Sequence, residues 1–504
     1  MVSKHSKKGD QSLKGLYETL YPISQRLSIF MLKFIDTILA SFRPCFNRVA
    51  TFHWFVVIII GMMMRSDHLG VTSIMRDLGL PVRRYETLIH FFRSSAWSLE
   101  SLRRTWLQVV KRVAPLSYVK GKVVLIGDGM KQSKEAERMP GVKKRHQDSE
   151  NSSKAAYIFG HLFGAVGVLM GTPKKWFCLP LVMNLQDGVK TIFGWDDASP
   201  ERQASHVVQM IDQGFAAANT FKQALLLLDR YFLTTPALKR LNQCNQSGDA
   251  HMHIVTQAKS NVVAYERPVR KKGRGRPRKK GDRVKLYDLF QTRASEFQAT
   301  TVIMYGKEET VQYLCLDLLW GQGLYQELRF VLVKHNGRLA ILVSTDRTLA
   351  ATDIIQLYGH RFKIECTFRE MKQAIGSFGY RFWSKSMPKL QRYLKKGESH
   401  PLEHVKDKEN IRLTIKAIEG FVMCNCIAMG LLQIIAVRYS HRVPRLFFRY
   451  LRTPSKAIVS EATVMAYLRR SIFFMFARNP HLPLTQIIQE KRHSSDFDDD
   501  WLAS

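Results

Sequence analysis

The sequence predicts an α/β protein with helical flanks and an inserted β-rich part, and three observations carry that reading. Apolar β-type runs alternate with helical periodicity from residue 122 to residue 257, a strand-rich segment with one strongly basic loop follows, and both flanks read as helix. The chain's 504 residues exceed what one hydrophobic core serves, and 45% hydrophobic residues is enough for several.

Residues 27–64 are largely apolar, much of the run at helical spacing. Residues 71–80, Pro81 and residues 83–92 then predict helix, turn and helix, a pattern shared by DNA-binding domains and ordinary helical hairpins. Residues 123–126 form a short apolar strand that runs into Gly127-Asp128-Gly129, and residues 157–170 and 176–183 are further strands. A helix over 202–215 precedes a buried strand, 224–228, that ends at Asp229, and 253–257 is the next strand. Residues 300–305, 312–319, 328–334 and 340–343 predict an antiparallel meander inserted into the α/β part. Beyond Ala350 the chain is helical to about Arg438, then basic and aromatic, with an acidic tail at 496–500. These shifts divide the chain at 1–120, 121–259, 260–345, 346–440 and 441–504, with the first region a helical candidate for DNA binding.

Lys and Arg outnumber Asp and Glu by 77 to 42, a net charge of +35, and such an excess attracts polyanions. Nucleic acid is the first partner this implies; a ribosomal-type surface or an anionic membrane would also answer to charge alone. The 7 cysteines are scattered without CxxC spacing, which predicts a reducing, cytoplasmic setting and no zinc site. His251 with His253 and Cys424 with Cys426 lack metal-site geometry. The N-terminal stretch is basic and polar, without a signal peptide's apolar core. Residues 54–64 are too few to span a bilayer and 421–437 include Asn425 and Gln433, so both runs read as core helices and no membrane is expected.

Two-metal phosphoryl transfer needs hard oxygen ligands around two divalent ions. Asp128 and Asp229 each follow an apolar strand, so neighbouring strands would bring both carboxylates to one sheet edge; a strand-end Asp is also a common turn or cap residue. On a helical wheel Tyr358, Arg361, Glu365 and Lys372 fall within one sector of about 60°, beside an apolar stripe of Ile364, Phe368, Met371 and Ile375. Glu370 lies away from both stripes, which selects Glu365 as the third carboxylate, and Gly359 is the point where this helix could break.

The spacing Tyr358-x2-Arg361-x3-Glu365-x6-Lys372, with Asp128 and Asp229 upstream, resembles the DDE transposases of bacterial insertion sequences, specifically the insertion-sequence-four-like group. The likeness extends over roughly residues 71–437. It implies a ribonuclease-H-like core with an inserted β-rich subdomain, and Asp128, Asp229 and Glu365 as catalytic metal ligands for Mg²⁺, with Mn²⁺ able to substitute. It further implies Arg361 and Lys372 gripping DNA phosphates, with Tyr358 hydrogen-bonding a phosphate or packing beside it. A homodimer joining two transposon ends in the bacterial cytoplasm, on nucleoid DNA, follows from the same resemblance.

Residues 267–283 carry ten basic side chains, among them Lys271, Lys272, Arg274, Arg276, Arg278, Lys279 and Lys280. Gly273-Arg274-Gly275-Arg276-Pro277 has the letters of an AT-hook for the A·T minor groove, and a flexible phosphate-binding loop is the simpler reading. Trp320 could stack on an unstacked base, or belong to the core. Three activities remain open on sequence: cut-and-paste transposition, a non-catalytic DNA-binding relative, and a ribonuclease-H-like nuclease that does not join ends.

Overall fold

The computed structural model describes residues 30–147, 155–186, 204–269, 277–304, 306–389, 402, 405–444, 447 and 457–492. The chain divides into two compact units, one of Met1–Val109, Met371–Tyr380 and Ile427–Ser504, the other of Val110–Glu370 and Arg381–Cys426.

The first unit is helical. Its central helix, Val49–Met64, is buried from Trp54 to Met64 because its residues are apolar on every side, the mark of a helix surrounded by others. The helices Val71–Leu78, Tyr85–Arg93, Glu461–Arg478 and Pro483–Arg492 pack on it. The crossing with Val71–Leu78 is close enough that a Cβ on Gly61 would lie 2.4 Å from Ile74 Cγ2. Val71–Leu78 ends at Gly79, whose φ of +62° turns the chain toward Pro81 and the helix Tyr85–Arg93. Arg469 caps the central helix by donating from Nε to the Met64 carbonyl at 2.9 Å. Arg65, fully buried, donates to the carbonyls of Gly70, at 3.1 Å, and Ile375.

The second unit is α/β. Its strands are β1 Tyr118–Val119, β2 Lys122–Ser133, β3 Lys143–His146, β4 Tyr157–Thr172, β5 Lys175–Gln186, β6 Gln223–Leu227, β7 His251–Gln257, β8 Val263–Tyr265, β9 Arg283–Lys285, β10 Gln298–Met304, β11 Lys307–Trp320, β12 Gln326–His335 and β13 Arg338–Ser344. Among the described residues all 13 join one mixed sheet, in which β2 lies between antiparallel β4 and parallel β6. The predicted meander is present, and β13 pairs with β7, so the β-rich segment extends the same sheet. Helices α1 (His206–Phe221) and α2 (Thr235–Ser247) connect β5 to β6 and β6 to β7, each started by a hydroxyl cap, Ser205 to the Val208 N–H and Thr234 to the Ala237 N–H. Helices α3 (Ala351–Gly359) and α4 (Lys363–Gln373) follow β13. The helix Lys408–Arg438 is long and apolar enough to cross a membrane, yet 94% of its most apolar window is buried within the protein. Asn425 lies in that window with its amide satisfied by the Phe421 carbonyl at 2.8 Å, as suits a core helix.

Gly160 pairs with Ser133 of β2 on one side and Lys143 of β3 on the other, and a Cβ there would lie 2.0 Å from the Gln132 carbonyl oxygen. Paired backbone on both sides cannot move aside. Gly160→Ala is expected to lower stability by more than about 2 kcal/mol in urea unfolding, whereas Gly359→Ala, at a helix end with nothing nearer than 3.8 Å, should raise it by up to about 1 kcal/mol. Equal midpoints for the two variants would refute this account of the β2–β4 packing.

Candidate active site

β2 and β6 pair in parallel from Val123 with Ala224 to Ile126 with Leu227, and Asp128 and Asp229 each lie two residues beyond that last pair. The register therefore brings them level at one end of the parallel pair. Asp128 does not end its strand, as the sequence suggested. β2 runs on to Ser133 because β4 supplies antiparallel partners all along it, Ala165 opposite Asp128, so the flanking glycines sit inside a ladder. Asp229 does leave its strand, and it caps the turn Arg230–Phe232 by accepting the Arg230 N–H at 2.7 Å.

The expected single helix from Tyr358 to Lys372 is two. α3 stops at Gly359, and through the turn the N–H groups of His360, Arg361 and Lys363 bond three residues back, at 2.9, 3.0 and 3.0 Å. Arg361 thus sits in the turn, and the one-stripe argument holds only from α4 onward, where Ile364, Phe368 and Met371 are buried and Glu365 is exposed. Two contacts with β5 hold α4 and the turn before it over the sheet. Thr367, buried two residues after Glu365, donates to the Cys178 carbonyl at 2.7 Å, and Trp176 meets His360 edge to face at 5.6 Å.

Arg361 ties the parts together. Its Nη1 is 3.5 Å from Asp128 Oδ2, and its Nη2 donates to Glu365 Oε1. The Asp128 carboxyl is pushed up to about 6: burial is the largest cause, Arg361 and the Gly129 N–H pull against it, and the charges of Asp229 and Glu365 add to the rise. Burial works against the Arg361 charge, but Asp128, Tyr358 and Glu365 more than offset it. Tyr358 has its phenol raised by burial and by Asp229 and Asp128, and its hydroxyl donates to Gln257 Oε1 at 3.3 Å. Asp128, Asp229, Glu365, Tyr358 and Arg361 therefore form one interacting cluster.

The donors of this cluster are hard carboxylate oxygens, and Asp128 remains short of positive charge even with Arg361 beside it, which suits a divalent cation. Among the described residues no three His, Cys, Asp or Glu side chains stand close enough to hold an ion as they are; Arg361 occupies Asp128 and Glu365 instead.

The other sequence candidates lie elsewhere. Lys372 is exposed on α4, about 10 Å along the helix from Glu365 at the usual rise. Trp320 is half-buried at the end of β11 opposite Gln326, four strand spacings from β6, about 19 Å across the sheet. Arg278 and Lys279 are exposed, and Lys280 rests its ammonium 4.1 Å from the Tyr265 ring and 5.4 Å from that of Tyr325. Lys271, Lys272, Arg274 and Arg276 lie outside the described residues. Sequence reasoning missed His206 at the start of α1, whose ring lies 5.3 Å from Phe232 and 6.0 Å from Tyr231, just after Asp229. No motif marks it.

A family model described as DDE superfamily endonuclease matches residues 41–310, which include Asp128 and Asp229. No curated protein and no solved structure matches the chain. Enzymes of this family act on DNA and generally use divalent metal ions. The match spans more than half of the 504 residues, and with two aspartates level at the end of paired parallel strands beside a helix-borne glutamate, the chain belongs to the DDE superfamily endonucleases.

Proposed function

We propose that this chain is the transposase of a bacterial insertion sequence of the insertion-sequence-four-like group, acting in the cytoplasm on nucleoid DNA. It binds terminal inverted repeats as a homodimer, hydrolyses a phosphodiester to free a 3′-hydroxyl, and directs that hydroxyl at target DNA. The observation that carries the reading is the cluster of Asp128, Asp229 and Glu365, in which Arg361 bridges Asp128 and Glu365. The strand order β5-β4-β2-β6-β7, antiparallel for the first three and parallel for the rest, supports a ribonuclease-H-like core.

In this reading Asp128, Asp229 and Glu365 hold Mg²⁺, for which Mn²⁺ can substitute. Bound there, divalent ions supply the positive charge that activates an attacking oxygen and stabilises a leaving one. Arg361, drawn off its carboxylates, has a bidentate guanidinium suited to a phosphate beside the scissile bond. Tyr358 is oriented by Gln257 at the same edge. Lys372 and the basic loop, Lys271, Lys272, Arg274, Arg276, Arg278, Lys279 and Lys280, add phosphate contacts farther along the duplex, and Trp320 offers a face for an unstacked base.

The deciding experiment is end binding and nicking on one labelled inverted repeat, followed by joining to a target plasmid. Glu365→Gln should bind the end yet lose nicking and joining together, by about 100-fold or more. Glu370→Gln, whose carboxylate sits beside Arg369, should leave both near wild type. Nicking at the wild-type rate by Glu365→Gln would remove the triad, and nicking without joining by the wild-type chain would make it a nuclease only. Arg274→Ala with Arg276→Ala should flatten the slope of log affinity against log salt by about 0.9 per lost phosphate contact, and an unchanged slope takes the loop out of the interface.

Asp128 also predicts a pH dependence of stability. Its carboxyl is raised from 3.8 in the unfolded chain to about 6 in the fold, so ionisation is resisted and the metal-free fold is penalised as pH rises across that window. Asp128→Asn should therefore melt higher than wild type at pH values above about 6 without divalent ions, and the gain should vanish below about pH 4. A melting difference that does not change with pH would contradict the assignment.

A further inference from the structure

Gly129 and Gly164 face each other across β2 and β4. Each lacks a side chain where a polar group of the same chain of hydrogen bonds needs the room. A Cβ on Gly164 would lie 1.9 Å from Gln186 Nε2, and one on Gly129 would lie 2.8 Å from His206 Nε2. Gln186 Nε2 donates to Gln213 Oε1 at 3.0 Å, so Gln186 Oε1 is the atom that accepts the His206 Nδ1–H. The tautomer and the ring orientation are thereby set from β5, and Gln186 has no exposed surface at all. Side chains alternate along β2, which puts Asp128 on one face and the Gly129 slot on the face covered by α1, where a Cβ on Gly127 would meet Met210. The imidazole thus underlies the residue after Asp128 and, on its other side, packs on Phe232 and Tyr231 after Asp229.

A buried amide and a half-buried imidazole cost more than apolar side chains of the same size unless their bonds are made, and a bonded network rigidifies what it touches. The groups it touches here are the two backbone segments that carry the paired aspartates. We propose that His206 is a positioning residue: braced by Gln186 and Gln213 in the glycine slot, it sets the spacing of Asp128 and Asp229 and so their joint affinity for a divalent cation. The proposal rests on reading those carboxylates as metal ligands, and it concerns the support behind them rather than the reacting atoms.

The test measures Mn²⁺ binding to the full chain without DNA, by calorimetry or by the spin resonance of free Mn²⁺. Metal-free binding of an end duplex is measured in parallel. His206→Ala should weaken Mn²⁺ by about tenfold or more, as loss of a ligand's support typically does, while duplex affinity stays within about twofold. Gly129→Ala, whose methyl would evict the ring, should weaken Mn²⁺ similarly. The double variant should be no worse than either alone, because the new methyl takes the vacated space. His206→Asn, which keeps a donor for Gln186, should recover part of the affinity, and it carries the measurement if His206→Ala does not fold. Mn²⁺ affinity within about twofold of wild type in the folded His206 variant overturns the proposal. Asp128→Asn separates the two claims: if it abolishes Mn²⁺ binding while the His206 variants do not, only the positioning role fails, and if it too leaves Mn²⁺ binding intact, the metal-ligand reading fails.

Discussion

Carboxylates gathered at one sheet edge repel each other, and the contact that lets this chain hold them there is Arg361 with Asp128 and Glu365. The compensation is partial. Asp128 stays near 6 because burial and two like charges outweigh one guanidinium and one N–H, so the site is poised to take up more positive charge. The surrounding architecture keeps the cluster from relaxing. Among the described residues β5 pairs only with β4, and side chains reach its backbone: Thr367 of α4 bonds the Cys178 carbonyl, and buried Glu419 of the helix Lys408–Arg438 accepts the Leu185 N–H at 2.9 Å. An edge strand that would otherwise invite pairing becomes the platform on which the glutamate helix is seated.

Much of this was legible because it is written in local patterns. The apolar runs before Asp128 and Asp229 encode buried parallel strands, and their equal offset from the last paired residues follows once those strands are neighbours. The stripe of Ile364, Phe368 and Met371 fixed which way Glu365 faces. What failed was inference across glycine, in a strand and in a helix. Gly127 and Gly129 resemble strand terminators, and only the partner strand β4, some forty residues away, shows that the ladder continues through them. Likewise the wheel assumed one helix through Gly359, whereas the chain tightens into bonds of three-residue spacing there, and Arg361 reaches Asp128 from a turn.

His206, Gln186 and Gln213 illustrate a different limit. Each alone is an unremarked polar residue, and their meaning depends on two glycines being opposite each other in a register that no single-sequence period reveals. Composition misleads in the other direction for the helix Lys408–Arg438, which is apolar enough for a bilayer; its polar residues carry the discriminating information, since Glu419 and Asn425 are buried and bonded inside protein.

The net charge of +35 and the acidic cluster pull in opposite directions on a divalent cation. A strongly basic surface draws DNA phosphates in and at long range disfavours metal ions, but beyond about 8 Å at physiological ionic strength such fields are largely screened. On the metal-ligand reading proposed above, metal affinity is decided within the cluster itself, by how closely Asp128, Asp229 and Glu365 approach and by whether Arg361 remains on Asp128 and Glu365. A phosphate arriving at that edge competes with the carboxylates for the same guanidinium, and each phosphate that takes it leaves Asp128 and Glu365 with a charge deficit only a cation can fill. Under the proposed function, the geometry around Arg361 links the two ligands a DDE endonuclease needs, the anionic backbone and the divalent ion, so that each favours the binding of the other.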